Sequence, residues 1–298
     1  MDNMKLVSIA MATYNGEKYI REQLDSIVAQ TYRPIEVIVC DDASLDNTIE
    51  IINEYCFKLD IKITKNEKNL GYAKNFEKAI LKCSGDYIAL CDQDDIWKNN
   101  KIERLMNEIS GYSLIYSDAS LINQVGDLIC DSKHKAFMID EYSDMLENKF
   151  IFRNYVVGCT CLFKRKLILE LNIPDEIPHD WWIAILAIKN KGIKYLDHSL
   201  VLYRQHDSNQ IGFKQTSISE KISQCFDVEN FNSARILCEV GVLSKSSQKI
   251  FNEFYRYNDV NLIKKIRLLF KYRKILYTKR IMGYLLSNLK QKLRRNNY

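Results

Sequence analysis

Four short apolar runs in the first hundred residues each stop at polar or acidic side chains, and segments with helical spacing separate them. KLVSIAMATY (Lys5–Tyr14) runs into Asn15-Gly16; IEVIVCDD, LDIKIT and DYIALCD follow in order. Between them Ile20, Leu24, Ile27 and Val28 recur at helical spacing, as do the apolar residues of NTIEIINEY and AKNFEKAILKC. Short strands alternating with helices of about ten residues predict right-handed βαβ units and a mainly parallel sheet. Runs such as VIV and YIAL, apolar at every position, suit strands covered on both faces.

In such a sheet, ligands lie outside the carboxyl ends of the strands. Strand one ends at Thr13-Tyr14-Asn15-Gly16, strand two at Asp41-Asp42, and strand four at Asp92-Gln93-Asp94-Asp95. The expectation is that all three clusters share one sheet edge. After Lys101 the pattern loosens. SLIYSDA reads as a strand, VVGCTCLFKRKLI as a strand entering a helix, and HDWWIAILAIKN as a helix. IKYLD reads as a strand, and LVLYRQHDSNQIG as a further strand entering a loop. Beyond about Ser217 only helical spacing is visible, so the expected division is a catalytic domain over 1–216 and a helical, basic C-terminal region over 217–298.

Charge sharpens that division. From Lys264 onward there are 12 Lys/Arg and no Asp/Glu, leaving 31 basic against 38 acidic residues before it, a net of −7. A basic tail rich in aliphatic and aromatic residues reads as an interfacial helix for an anionic membrane surface. It reads equally as a bundle packing its apolar face on the catalytic domain. No nucleic-acid-binding motif accompanies the charge, so nucleic acid is not an expected partner. No apolar stretch approaches the roughly 18 residues of a membrane-spanning helix, and no signal-peptide pattern opens the chain. The expected location is the cytoplasm, at the inner face of the cell membrane.

The nine cysteines, an odd number, sit mostly in apolar runs and read as buried free thiols. Cys159 and Cys161 are expected on one face of a strand, with no second pair at zinc-like spacing.

Asp92-Gln93-Asp94 after a buried strand has the spacing of a divalent-cation site serving a diphosphate. Like charges this close resist joint ionisation unless a cation lies among them. Magnesium and manganese take oxygen ligands, usually one or two carboxylates plus phosphate oxygens. The plainer reading is a solvated acidic turn, with Asp95 capping the helix in IWKNNKIERL. Asp42 reads also as a turn residue, Lys74 as a solvated helix lysine, and Asp180 as the N-cap of the WWIAILAI helix. Trp181 and Trp182 can stack on a sugar, although core packing suits at least one of them. No G-x-G-x-x-G follows the first strand, which excludes a dinucleotide dehydrogenase.

The ordered segments VSIAMATYNGEKYIREQLDSIVAQTY, VIVCDDASLDNT, GDYIALCDQDDIW, HDWW and YRQHDSNQIG resemble family-2 glycosyltransferases, especially bacterial rhamnosyltransferases of cell-surface polysaccharide synthesis. The resemblance runs from residue 5 to about 212. It implies a glycosyltransferase A-type fold and an inverting, metal-dependent transfer from a nucleoside-diphosphate sugar. L-Rhamnose from dTDP-rhamnose to a lipid-linked glycan, as in O-antigen synthesis, is the form it implies. Carried over by position, Thr13, Tyr14 and Glu17 line the nucleotide, Asp42 accepts a pyrimidine N3–H, and Lys74 and Asn75 lie beside it. Asp94 binds Mn2+ or Mg2+ directly, with Asp92 at the ribose or in the metal's water shell. Asp180 is the base. His206 is a third metal ligand or a phosphate partner, and Arg204 neutralises the leaving diphosphate. The alternatives are a non-catalytic nucleotide-sugar-binding protein on this fold, a transferase using another UDP- or GDP-sugar, and a scaffold acting through its basic tail.

Overall fold

In a computed structural model of the chain, the described residues are 4–136, 147–168, 172–206 and 228–255, with Lys264, Arg267, Leu268, Lys271 and Tyr272. Asn209 and, apart from those last five residues, the basic tail lie outside them.

Among the described residues nine strands form one sheet: β1 (Val7–Thr13), β2 (Ile35–Asp41), β3 (Asp60–Lys65), β4 (Tyr87–Cys91), β5 (Ile96–Trp97), β6 (Leu114–Ile122), β7 (Leu128–Cys130), β8 (Cys161–Lys164) and β9 (Ile193–Arg204). Their order is β3-β2-β1-β4-β8-β6-β9-β5, with β7 paired to β6. The first four strands are parallel, as the βαβ reading expects. Beyond β4 the sheet becomes mixed, because β8 inserts antiparallel between β4 and β6 while β9 runs parallel to β6. The α/β glycosyltransferase A-type architecture expected from the sequence is therefore present.

Helices α1 (Ile20–Val28), α2 (Thr48–Asn53), α3 (Tyr72–Leu81), α4 (Lys101–Glu108), α5 (Lys133–Ala136) and α6 (His179–Asn190) connect these strands. The period of two along a strand sends Val7, Ile9 and Met11 to one face of β1, where they join Val37, Val39, Ala89 and Cys91. Ile20, Leu24 and Ile27 of α1 and Ile102 and Leu105 of α4 complete that core. Edge strand β3 alternates exposed and half-buried residues and carries Asp60, Lys62 and Lys65, charges that discourage edge pairing.

Three local expectations change. IKYLD and LVLYR belong to one 12-residue strand, β9. Cys159 lies in a 3-10 turn, Gly158–Thr160, ahead of β8, so it shares no strand face with Cys161. The helix after the acidic loop starts at Lys101, because Ile96 and Trp97 pair with Leu202 and Val201 of β9.

The chain divides into two compact units, 1–133 with 155–212, and 134–154 with 213–298. The second therefore takes in a segment from the middle of the chain, unlike the simple division at 216. Its helices Val228–Glu239 and Lys245–Tyr255 accompany an aromatic cluster in which Phe254 meets Phe152 and Tyr272 at centroid distances of 5.4 Å. Among the described residues, no helix is long and apolar enough to cross a membrane.

Candidate active site

Parallel register aligns Thr13 with Asp41 and Met11 with Cys91, so the polar ends of β1, β2 and β4 do fall on one edge. Hydrogen bonds between these ends build a frame. Thr13 Oγ1 donates to Asp41 Oδ2 at 2.9 Å, and Asp42 N donates to Thr13 O at 2.8 Å. Gln93 brackets the peptide at Tyr14, accepting from Tyr14 N at 2.8 Å and donating to Tyr14 O at 3.0 Å. That approach requires Gly16: a Cβ there would lie 2.3 Å from Gln93 Oε1.

At the end of β2, Asp42 is 2% exposed. Its Oδ1 accepts from Asn66 Nδ2 and Leu70 N, both at 2.8 Å, and its Oδ2 from Gly71 N at 2.9 Å. Asn75, also buried, donates to Cys40 O at 2.7 Å and accepts from Asn66 Nδ2 at 3.0 Å. Thr13, Asp42 and Asn75 thus form one buried frame, while Tyr14 is exposed beside it. Glu17 Oε2 accepts from the backbone and side chain of Asn47 at 3.0 and 2.8 Å. Lys74, expected beside the nucleotide, is engaged by protein groups. Its ammonium is held by Glu77 and Asp175, each at 3.0 Å, and by Ile173 O at 2.8 Å.

The acidic loop meets the end of β9. His206 Nε2 lies 2.8 Å from Asp94 Oδ2, joining residues 112 apart in sequence. The β5–β9 pairing, Ile96 with Leu202 and Trp97 with Val201, carries the chain just beyond β9 back alongside the acidic loop. Asp92, Asp95 and Cys159 present a third cluster, with ligand atoms within 4.8 Å of one another. Burial and then the charges of Asp95, Asp94 and Asp180 push the Asp92 carboxyl well above its ordinary range. Asp95 is raised to about 7 by burial and Asp94, and its buried Oδ2 has no hydrogen-bond partner. Asp95 accepts from Arg204 N at 3.0 Å and does not cap the following helix, which begins six residues later. Crowded carboxylates and an orphaned buried Asp95 oxygen suit a divalent cation; among the described residues the three ligand groups that converge are Asp92, Asp95 and Cys159, while Asp94 and His206, two of the expected ligands, meet each other as a pair.

Arg204 also departs from expectation. It is 1% exposed, and its guanidinium donates to Asp94 O at 2.8 Å, Gln124 O at 3.3 Å and Glu22 Oε2 at 2.9 Å. The guanidinium is thus committed to holding the acidic loop rather than open to a diphosphate. Tyr19 supports this corner, its ring 4.8 Å from both the Arg204 guanidinium and the His206 ring centroid. Arg204→Met removes three hydrogen bonds, of which Glu22 and Gln124 can turn to solvent, so it is expected to lower stability by about 1–3 kcal/mol, read from urea unfolding.

Asp180 occupies the first turn of α6, near enough to Asp92 for its charge to act on that carboxyl. Its Oδ2 accepts from Gly158 N at 3.2 Å and its Oδ1 from Trp181 N at 2.7 Å. Burial raises its carboxyl to about 6, with those amides and Lys133 opposing the shift. Trp181 and Trp182 are both buried, as core residues. His179 is buried against Phe76, with ring centroids 4.2 Å apart, and burial lowers it to about 3, so the ring is neutral.

Sequence reasoning passed over Lys101. It is fully buried, its Nζ donating to Cys159 O at 2.6 Å over the Trp97 ring, and burial lowers it to about 8. A lysine at a helix start in a polar run carries no sign of burial. Tyr19, Glu22 and Gln93 escaped notice for the same reason: their roles rest on distant partners.

Known proteins share this arrangement of sequence and fold. The family model described as "Glycosyl transferase family 2" matches residues 8–171. The dTDP-rhamnosyl transferase RfbG of Shigella flexneri is 31% identical over 218 residues, covering 68% of this chain and 73% of its own. Among solved structures, S. aureus TarS (residues 1–349) with UDP-GlcNAc superposes with a TM-score of 0.63 at 20% identity, covering 93% of this chain and 83% of that one. The mannosyltransferase PcManGT of Pyrobaculum calidifontis, with GDP-Man and Mn2+, gives a TM-score of 0.58 at 16% identity, covering 98% and 81%. The two solved structures share the fold.

Proposed function

This chain belongs to glycosyltransferase family 2, and from that premise we propose that it is an inverting, metal-dependent transferase of a sugar from a nucleoside diphosphate. The observation that carries the reading is the meeting of Asp94 and His206 on the carboxyl edge of the sheet, with Asp180 near enough for its charge to act on Asp92. Mn2+ in the PcManGT structure supports the cation, and the name of RfbG supports dTDP-rhamnose as the donor. The acceptor in this reading is a hydroxyl of a lipid-linked glycan in surface polysaccharide synthesis.

Asp94, His206 and Asp92 would hold Mn2+ or Mg2+, which offsets negative charge on the departing diphosphate as a Lewis acid. Thr13, Tyr14 and the Asp42 carboxylate receive the nucleoside. Asp42 Oδ2, which has accepted one backbone N–H, retains capacity for a pyrimidine N3–H. Asp180 accepts the proton of the acceptor hydroxyl as that oxygen bonds to the anomeric carbon. The bond from that carbon to the diphosphate oxygen breaks on the opposite face, its electron pair leaving with the nucleoside diphosphate. One displacement inverts the configuration, so no second carboxylate acts as a nucleophile. Arg204, Glu22 and Tyr19 keep the acidic loop in register with His206.

The test is a donor screen of dTDP-rhamnose against UDP- and GDP-sugars in Mn2+, with release of nucleoside diphosphate as the readout. dTDP release above the UDP and GDP arms is expected. Preference for a UDP- or GDP-sugar would overturn the rhamnose assignment, and no metal-stimulated release from any donor would overturn the transferase reading.

A further inference from the structure

At the amino edge of the sheet, opposite the carboxyl edge, lies a cleft of about 340 Å3 lined by Lys5, Asp86, Tyr87, Lys164, Arg165 and Lys166. The KRK run that ends VVGCTCLFKRKLI thus has a place that the transfer reaction does not use. Antiparallel pairing creates the cleft: Tyr87, at the start of β4, registers with Lys164, at the end of β8. Tyr87 and Asp92 are separated by about 16 Å of extended chain, so the cleft is distinct from the acidic loop.

Four of the six lining residues are cationic and one is a carboxylate, Asp86, which already lies 3.8 Å from Lys5 Nζ. Arg165 is fixed at the rim by donation from its Nε to Gly85 O at 2.8 Å and from its backbone N to Asp86 O at 2.9 Å. Lys164 and Lys166 form no ion pair among the described residues. Lys191 adds a further positive charge near Lys164, and together burial, Lys191 and Lys166 lower the Lys164 ammonium from its ordinary range. Like charges converging on a concave surface raise the local potential and attract a counter-anion. A fixed guanidinium flanked by two ammonium groups suits phosphate oxygens.

We propose that this cleft is a second binding site, for a phosphate-bearing anion, separate from the sugar-donor site. Two sources share that chemistry: a soluble phosphate or diphosphate compound, and the headgroup of an anionic phospholipid. The site does not depend on the transferase reading.

Equilibrium dialysis with labelled inorganic pyrophosphate tests the soluble source, in EDTA so that the cation-dependent donor site stays silent. Flotation with phosphatidylglycerol against phosphatidylcholine vesicles tests the lipid source. The full chain is compared with Lys164→Gln/Lys166→Gln. Loss of two charge-assisted contacts is expected to weaken binding by at least about tenfold in one arm. Loss in the pyrophosphate arm identifies a soluble ligand, and loss confined to phosphatidylglycerol vesicles identifies a lipid headgroup. Equal binding by wild type and variant in both arms overturns the proposal. Should the double variant unfold, charge reversal at exposed Lys166 alone (Lys166→Glu) gives the same readouts.

Discussion

Asp180→Asn is expected to lower sugar transfer by about 10²–10⁴-fold while leaving donor binding intact, the loss typical of a missing general base. Asparagine keeps the shape, and its one carbonyl oxygen can still accept from either Trp181 N or Gly158 N, while the NH2 group gives up the other bond and the proton affinity. As the proposed base, Asp180 acts in its ionised form. With that carboxyl raised to about 6 by burial, kcat should rise with pH through about 6 and level off above it. Stability should move the other way. The folded pKa lies above the unfolded value of 3.8, so the folded state holds the proton more tightly, and the cost of ionisation enters as pH rises from about 4 through about 6. Above that window Asp180→Asn escapes the ionisation cost but loses one acceptor bond, so the two effects offset and its melting temperature at pH 7 should stay close to that of the wild type. A variant that melts normally yet transfers sugar at the wild-type rate would remove Asp180 from the mechanism.

Asp94→Asn should have a comparable effect by another route. The amide can still meet His206, but it brings a neutral oxygen in place of a charged one to the cation. Donor affinity in Mn2+ should fall to its metal-free level, and kcat should drop by about 10²–10³-fold, the scale set by loss of one electrostatic stabiliser. Mn2+ titration followed by electron paramagnetic resonance, with nucleoside diphosphate present, reads this directly. His206→Ala should weaken Mn2+ in the same experiment with less loss, since a neutral ligand is removed. If Asp94→Asn bound Mn2+ as tightly as wild type, the ligand assignment would be wrong even if activity were lost.

The two sides of the site were unequally legible. Thr13, Asp42 and Asp92 stand at the ends of short apolar runs, and a parallel sheet sends such ends to one edge. That inference needs only local periodicity and one rule of topology. Arg204 and Lys74 show its limit. Both read as available cations, yet one is buried among Glu22, Asp94 and Gln124, and the other is held by Glu77 and Asp175. A side chain's charge is a property of the sequence; its counter-ion is a property of the fold. Asp95 fails in the same way, since the residues after it pair with β9 before any helix begins.

By itself the sequence determined which strands would run parallel, which of their ends carry polar and acidic groups, and that those groups suit a cation and a diphosphate. Tertiary structure alone decided which groups meet. The β5–β9 pairing carries His206 to Asp94, and β8, inserted antiparallel beside β4, both brings Gly158 to Asp180 and opens the basic cleft at the far edge. The reason is physical: strand periodicity is written in neighbouring residues, whereas the register between strands a hundred residues apart comes from the packing of the whole sheet.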